Sequence, residues 1–258
     1  MNAHRSVIML SIQRHPLPHK FISRNVVHLA LGRKRQGGDE LDNMLHGLAR
    51  SEKQSEFCQH LQDRNVDMVV GIGPAGCGKT FLSCAHAIQG LLRNEIKRVV
   101  ITRPTVAADE NIGFLPGTLE EKMYPYMIPI YDCFKEFVSS QRLKEYVLNE
   151  QIEICPLSFM RGRTFHNSWI IADEVQNATV NQMRTLLTRI GRNSKIVLTG
   201  DLAQCDLSIG NGMADFLQRY QLYCEDNDTT ENIRVVELGD TDVVRSNLVK
   251  TMLDVYKY

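Results

Sequence analysis

Short, largely apolar runs recur along the chain, most of them without polar alternation. They are Asp67-Met68-Val69-Val70, Arg98-Val99-Val100-Ile101-Thr102, Ile152-Glu153-Ile154-Cys155, Trp169-Ile170-Ile171-Ala172, Lys195-Ile196-Val197-Leu198-Thr199 and Ile233-Arg234-Val235-Val236-Glu237. Runs of this length, mostly β-branched and lacking an in-out period, suit strands covered on both faces. Between many of them the pattern turns helical. Phe81, Leu82, Ala85, Ile88, Leu91 and Leu92 fall on one helix face, and another helix is expected over about residues 51–63. Strand-helix alternation predicts an α/β fold, a mostly parallel central sheet flanked by helices, with functional residues at the carboxyl ends of strands. Residues 1–45 lack a clear period and read as an N-terminal extension to a domain over 46–258. Residues 104–131, rich in Pro, Gly and Tyr, depart from the alternation and read as an insertion.

Composition narrows the picture. Hydrophobic residues make up 43% of 258, enough for a substantial core. The formal net charge is zero, so overall charge points to neither nucleic acid nor membrane. Its distribution says more. Before Asp39 the chain carries Arg5, Arg14, Lys20, Arg24, Arg33, Lys34 and Arg35 and no acid, whereas Glu225, Asp226, Asp228 and Glu231 cluster without a base. A basic arm suits RNA or DNA phosphates, and equally a solvated tail or a segment that docks a partner. The seven cysteines are scattered and form no C-x-x-C pair, which reads as reduced thiols in a cytoplasmic protein. No apolar run approaches transmembrane length, and Val7-Ile8-Met9-Leu10 is too short for a signal-peptide core, so no membrane partner is expected.

The chemistry concentrates in Gly73-Pro74-Ala75-Gly76-Cys77-Gly78-Lys79-Thr80, a complete G-x-x-x-x-G-K-[ST] phosphate-binding loop between an expected strand and an expected helix. Glycines let backbone N–H groups curl around an anion, and the helix N-terminus adds its positive end. Lys79 is expected at the β and γ phosphates of ATP, and the Thr80 hydroxyl on Mg²⁺. Cys77 has a helix N-terminus beside it, a setting that makes a thiol reactive; the other reading is a tolerated small residue. Ile170-Ile171-Ala172-Asp173-Glu174 is an apolar strand ending in two acids. Asp173 is placed to hold Mg²⁺, and Glu174 to act as general base toward water. After the next strand, Gln204 is placed to orient water or sense the γ-phosphate, although Gly200-Asp201 taken alone is also a common turn. Asp242-Val243-Val244-Arg245 reads as a helix start, and Arg245 either stabilises phosphoryl charge or makes a surface ion pair.

Taken in order, these blocks resemble the PhoH-like ATPases over about residues 50–258. The matching residues are Gly71 through Thr80, Arg103-Pro104, Glu110-Asn111-Ile112-Gly113-Phe114-Leu115-Pro116-Gly117, Met160-Arg161-Gly162-Arg163-Thr164, Asp173-Glu174-Val175-Gln176-Asn177, Thr199-Gly200-Asp201 with Gln204-Cys205-Asp206-Leu207, and Asp242-Val243-Val244-Arg245. Val175 stands where that family usually has Ala, and Cys77 where it usually has Thr. The family is similar to the motor domain of superfamily 1 helicases, a RecA-like P-loop core. The resemblance implies ATP hydrolysis with Mg²⁺, a link to RNA or single-stranded nucleic acid, and a ring-like homo-oligomer, expected to be a hexamer. A neighbouring subunit then supplies an arginine, with Arg245 first by motif position and Arg161 and Arg163 as the others. Gln54 stands near the place of an adenine-reading glutamine, whose amide can both donate and accept; the alternative is an exposed helical glutamine. No room for the nuclease-like domain of longer relatives is expected after Tyr258, and no GXXG segment of the K-homology type is expected.

Three functions compete at this stage. The first is an ATPase that remodels or unwinds RNA, an RNA helicase in its strongest form. Phe114 and Tyr124 or Tyr126 would stack bases while Arg103, Arg161 and Arg163 touch phosphates. Gly113-Phe114-Leu115-Pro116-Gly117 reads equally as a rigid turn against the next subunit. The second is a nucleotide-dependent scaffold or adaptor ring without helicase activity. The third is a small-molecule phosphotransferase, against which the Asp173-Glu174 strand end argues.

Overall fold

A computed structural model describes residues 47–104, 119–205, 210–227 and 232–244, with a few single positions beside them. Six strands form one sheet: β1 (Met68–Ile72), β2 (Arg98–Thr102), β3 (Ile152–Ile154), β4 (Ser168–Ala172), β5 (Lys195–Gly200) and β6 (Ile233–Glu237). Their order is β3-β2-β4-β5-β1-β6, and every pairing among the described residues is parallel. Among the described residues six helices accompany them: α1 (Glu52–Gln62), α2 (Lys79–Leu92), α3 (Leu119–Lys135), α4 (Ser140–Leu148), α5 (Val180–Leu187) and α6 (Gly212–Asp226).

The unbroken apolar runs have the cause that the pattern suggested. Val69, Ile171 and Val197 enter one core with Phe57, Leu82 and Ile88, while Val70, Ile170, Ile196 and Leu198 enter a second with Met183, Leu186 and Met213. Successive side chains thus go to opposite faces, and both faces are apolar. α2 is buried well beyond the expected stripe, with Ser83, Cys84, His86 and Gln89 also inside. In the second half of the stretch read as an insertion, residues 104–131, the chain forms α3, which runs through Pro125 and Pro129. Each proline removes a helix hydrogen bond and disfavours the turn before it. Both are exposed, while Met127, Ile130 and Phe134 are buried at helical spacing, so tertiary packing overrides local propensity.

The strand order places four carboxyl ends side by side. β1 runs into the phosphate loop, β5 beside it into Asp201, β4 next into Asp173-Glu174, and β2 beyond that into Arg103. Among the described residues no helix is long and apolar enough to cross a membrane.

Candidate active site

Backbone shape is set first. Gly78 has φ +89 and ends the loop one residue before α2, a left-handed position that a Cβ would strain. At Gly73, φ is +150 and a Cβ would lie 2.3 Å from the Leu238 carbonyl oxygen, so only glycine lets the chain after β6 pass. Gly73 N–H donates to the Gly200 carbonyl at 3.1 Å, which locks the loop to the end of β5. Lys79 is 8% exposed and donates to the loop carbonyls of Gly73 at 2.6 Å and Pro74 at 3.0 Å.

Two strand ends and the start of α2 meet at one carboxylate. Asp173 Oδ1 accepts from Thr80 Oγ1 at 2.7 Å and from Thr199 Oγ1 at 2.6 Å, at a residue only 5% exposed. A hydroxyl and a carboxylate oxygen in contact are a hard donor pair that fits Mg²⁺, an ion that takes few protein ligands and completes its shell with water and phosphate oxygens. No cluster of three or more His, Cys, Asp or Glu side chains suited to a metal occurs among the described residues. Glu174, 35% exposed in its side chain, follows with φ +55, a left-handed conformation uncommon for a non-glycine residue and frequent at functional positions. Gln176 Nε2 donates to Glu174 Oε2 at 2.6 Å, and Gln176 Oε1 accepts from Asp201 N–H at 3.1 Å.

Ala75, Gly76, Gly78, Lys79, Thr80, Asp173, Glu174 and Gln204 all line one cavity of about 240 Å³. Gln204 is exposed, and its backbone is pinned by Asp201 O at 3.0 Å. Cys77 is fully buried, which removes the expectation of a thiol open to alkylation. Cys133, on α3, also lines the cavity; a hydrogen bond from buried Cys84 lowers its pKa.

Other expected residues fall differently. Gln54 is 2% exposed, not an exposed helical glutamine. Its Nε2 donates to Cys77 O and Asp242 O, both at 3.0 Å, and its Oε1 accepts from Arg50 N–H at 2.7 Å. Asp242 closes a 3-10 turn over Asp240–Asp242 rather than opening a helix, because its carboxylate accepts from Gly239 N–H at 2.6 Å. Val244 N–H donates to Gly76 O at 3.1 Å, so this segment lies on the phosphate loop. Arg245 and Phe114 lie outside the described residues, as does the Tyr124 side chain. Arg161 is exposed at the end of the Leu157–Met160 turn. Arg163 is paired with Glu153 through Nη2 at 3.0 Å, stacks over Phe165, and lines a separate cavity with Arg98. Arg103 meets Glu174, with Nη2 3.5 Å from Oε1. Sequence reasoning gave no separate role to Gln176. Its place in the Asp173-Glu174-Val175-Gln176 block was visible, but its bridge from β4 to β5 was not.

Residues 48–257 match the PhoH family, described as PhoH-like protein. A PhoH-like protein of Synechocystis sp. is 40% identical over 209 residues, covering 81% of this chain and 62% of that protein. Protein PhoH of Escherichia coli K12 is 39% identical over 214 residues, covering 81% and 58%. The chain therefore spans about three-fifths the length of these relatives. Among solved structures, the Pif1 helicase of Candida albicans aligns with 80% of this chain and 43% of its own, at 19% identity and a TM-score of 0.40. The fold assignment rests on the parallel sheet and phosphate loop themselves. With that loop, the paired acids after β4 and a family match across nearly all of residues 46–258, the chain belongs to the PhoH-like proteins.

Proposed function

We propose that this protein is an ATPase that hydrolyses ATP with Mg²⁺ and couples turnover to remodelling of RNA or another single-stranded nucleic acid, as a homo-oligomeric ring. The observation that carries the hydrolytic reading is the contact of Thr80 and Thr199 with Asp173, directly beside Glu174. Thr80 and Asp173 would hold Mg²⁺, which neutralises charge on the phosphates when bound. The loop N–H groups and Lys79 bind the triphosphate. Gln204 orients a water molecule, and Glu174 takes its proton as the water oxygen bonds to the γ-phosphorus and the bond to the β,γ-bridging oxygen breaks. Arg245 of a neighbouring subunit stabilises the charge on the transferred group.

Support for the nucleic-acid part comes from Arg103 and Tyr126. Arg103 Nη1 donates to the Tyr126 carbonyl at 3.3 Å, and Tyr126 is 38% exposed. A guanidinium held on the backbone of a residue with an exposed aromatic side chain brings a phosphate contact and a stacking group into one region. The test is ATP hydrolysis by pure protein with and without single-stranded RNA at low salt, with Glu174→Gln as the blank. Stimulation by RNA that vanishes in Glu174→Gln is expected. Glu174-dependent turnover that ignores RNA would replace this reading with the adaptor ring, and normal turnover in Glu174→Gln would remove Glu174 as the base.

A further inference from the structure

Glu174 is engaged on both carboxylate oxygens. Gln176 Nε2 holds Oε2 at 2.6 Å, and the Arg103 guanidinium lies 3.5 Å from Oε1. Arg103 follows β2, the strand beyond β4 from the phosphate loop. It is not among the described residues lining the nucleotide cavity, whereas Glu174 is. Arg103 thus meets Glu174 from the end of β2, which borders β4 on the side of the sheet opposite β5 and β1. Its other contact, the Tyr126 carbonyl, belongs to a residue open to solvent.

Resting on the nucleic-acid reading above, we propose that Arg103 is a positioning residue that restrains Glu174 until a phosphodiester of a bound single strand draws its guanidinium away. The ion pair suits that exchange. Its side chains are 25% and 35% exposed and the separation is long, so solvent screens it and little opposes its loss. A phosphate offers the planar guanidinium a two-pronged partner at closer range. Released, Oε1 is free to receive the proton of the attacking water. Gln176 keeps the carboxylate in place meanwhile, because it remains anchored to Asp201 N–H. Strand occupancy and hydrolysis are then coupled through one side chain, with no movement of the sheet required.

The experiment measures ATP hydrolysis by wild type, Arg103→Ala and Arg103→Lys, with and without oligouridylate at low salt. Arg103→Ala is expected to raise kcat without RNA by about two- to fivefold, the factor that a screened ion pair of this kind holds back. KM for ATP stays unchanged, and RNA no longer adds to the rate. Arg103→Lys, which keeps the charge without the planar fork, gives an intermediate basal rate and retains part of the stimulation. An Arg103→Ala basal kcat at or below that of wild type overturns the restraint. Should circular dichroism show Arg103→Ala to be misfolded, Arg103→Gln carries the same expectation. Wild type that neither binds nor responds to RNA defeats the nucleic-acid reading and this inference together. Wild type that responds, paired with a soluble Arg103 variant that shows no basal rise, defeats the restraint alone.

Discussion

Gln54 gives the sharpest test of how the phosphate loop is held. Its amide joins three backbone groups: Cys77 O in the loop, Asp242 O in the turn after β6, and Arg50 N–H before α1. Ser51 starts α1 by accepting from Gln54 N–H at 3.1 Å, so the helix end itself aims the amide inward. Gln54→Ala leaves two carbonyls and one N–H without this partner, at a site where the side chain was 2% exposed. Each orphaned buried group costs about 1–3 kcal/mol. Water entering the vacated polar space repairs part of that. The expected loss is about 2–4 kcal/mol, a fall in Tm of roughly 5–15 °C for a chain of this size. Thermal and urea unfolding measure it, alongside binding of ATP and GTP. With Gln54 as a strut, affinity for both nucleotides falls together, because the loop and the Asp242 turn lose their shared anchor. A variant within about 1 kcal/mol of wild-type stability that no longer discriminates ATP from GTP would refute the strut and make Gln54 a reader of the adenine edge.

Two further outcomes follow from buried polar contacts. Thr199→Val keeps the shape but removes the 2.6 Å bond to Asp173; stability should fall by about 1–3 kcal/mol and the Mg²⁺ requirement of hydrolysis rise roughly tenfold or more, read from a metal titration, and an unchanged titration would separate Thr199 from the metal site. Lys195, 9% exposed, donates to the carbonyls of His60, Leu61 and Asp63 at the end of α1, and burial pushes its ammonium from 10.5 down to about 8. Between those values the unfolded chain holds more protons than the folded one, so this group's contribution to stability rises as pH climbs from about 8 toward 10.5. Wild type should therefore gain on Lys195→Met across that window in urea unfolding, and a gap independent of pH would show that burial does not discharge Lys195.

The sequence alone determined the strands and the phosphate loop, because both are written locally. A strand covered on two faces reads as an apolar run, as β1, β2, β4 and β5 do, and each of the six observed strands lies within two residues of the segment picked out in the sequence. A phosphate loop must spell its glycines, lysine and threonine contiguously, since backbone N–H groups and a helix start have to converge on one anion. α3 was hidden because Pro125 and Pro129 argue against a helix by every local rule, and only burial of Met127, Ile130 and Phe134 outweighs them. The internal position of Gln54 and the bridge by Gln176 were equally hidden. So was the meeting of Arg103 with Glu174, about seventy residues apart in the chain. Those contacts depend on the order β3-β2-β4-β5-β1-β6, which sets the ends of β2 and β4 side by side. No local period encodes strand order; it comes from which pairings bury both faces of the sheet at once, and only the tertiary structure decides that.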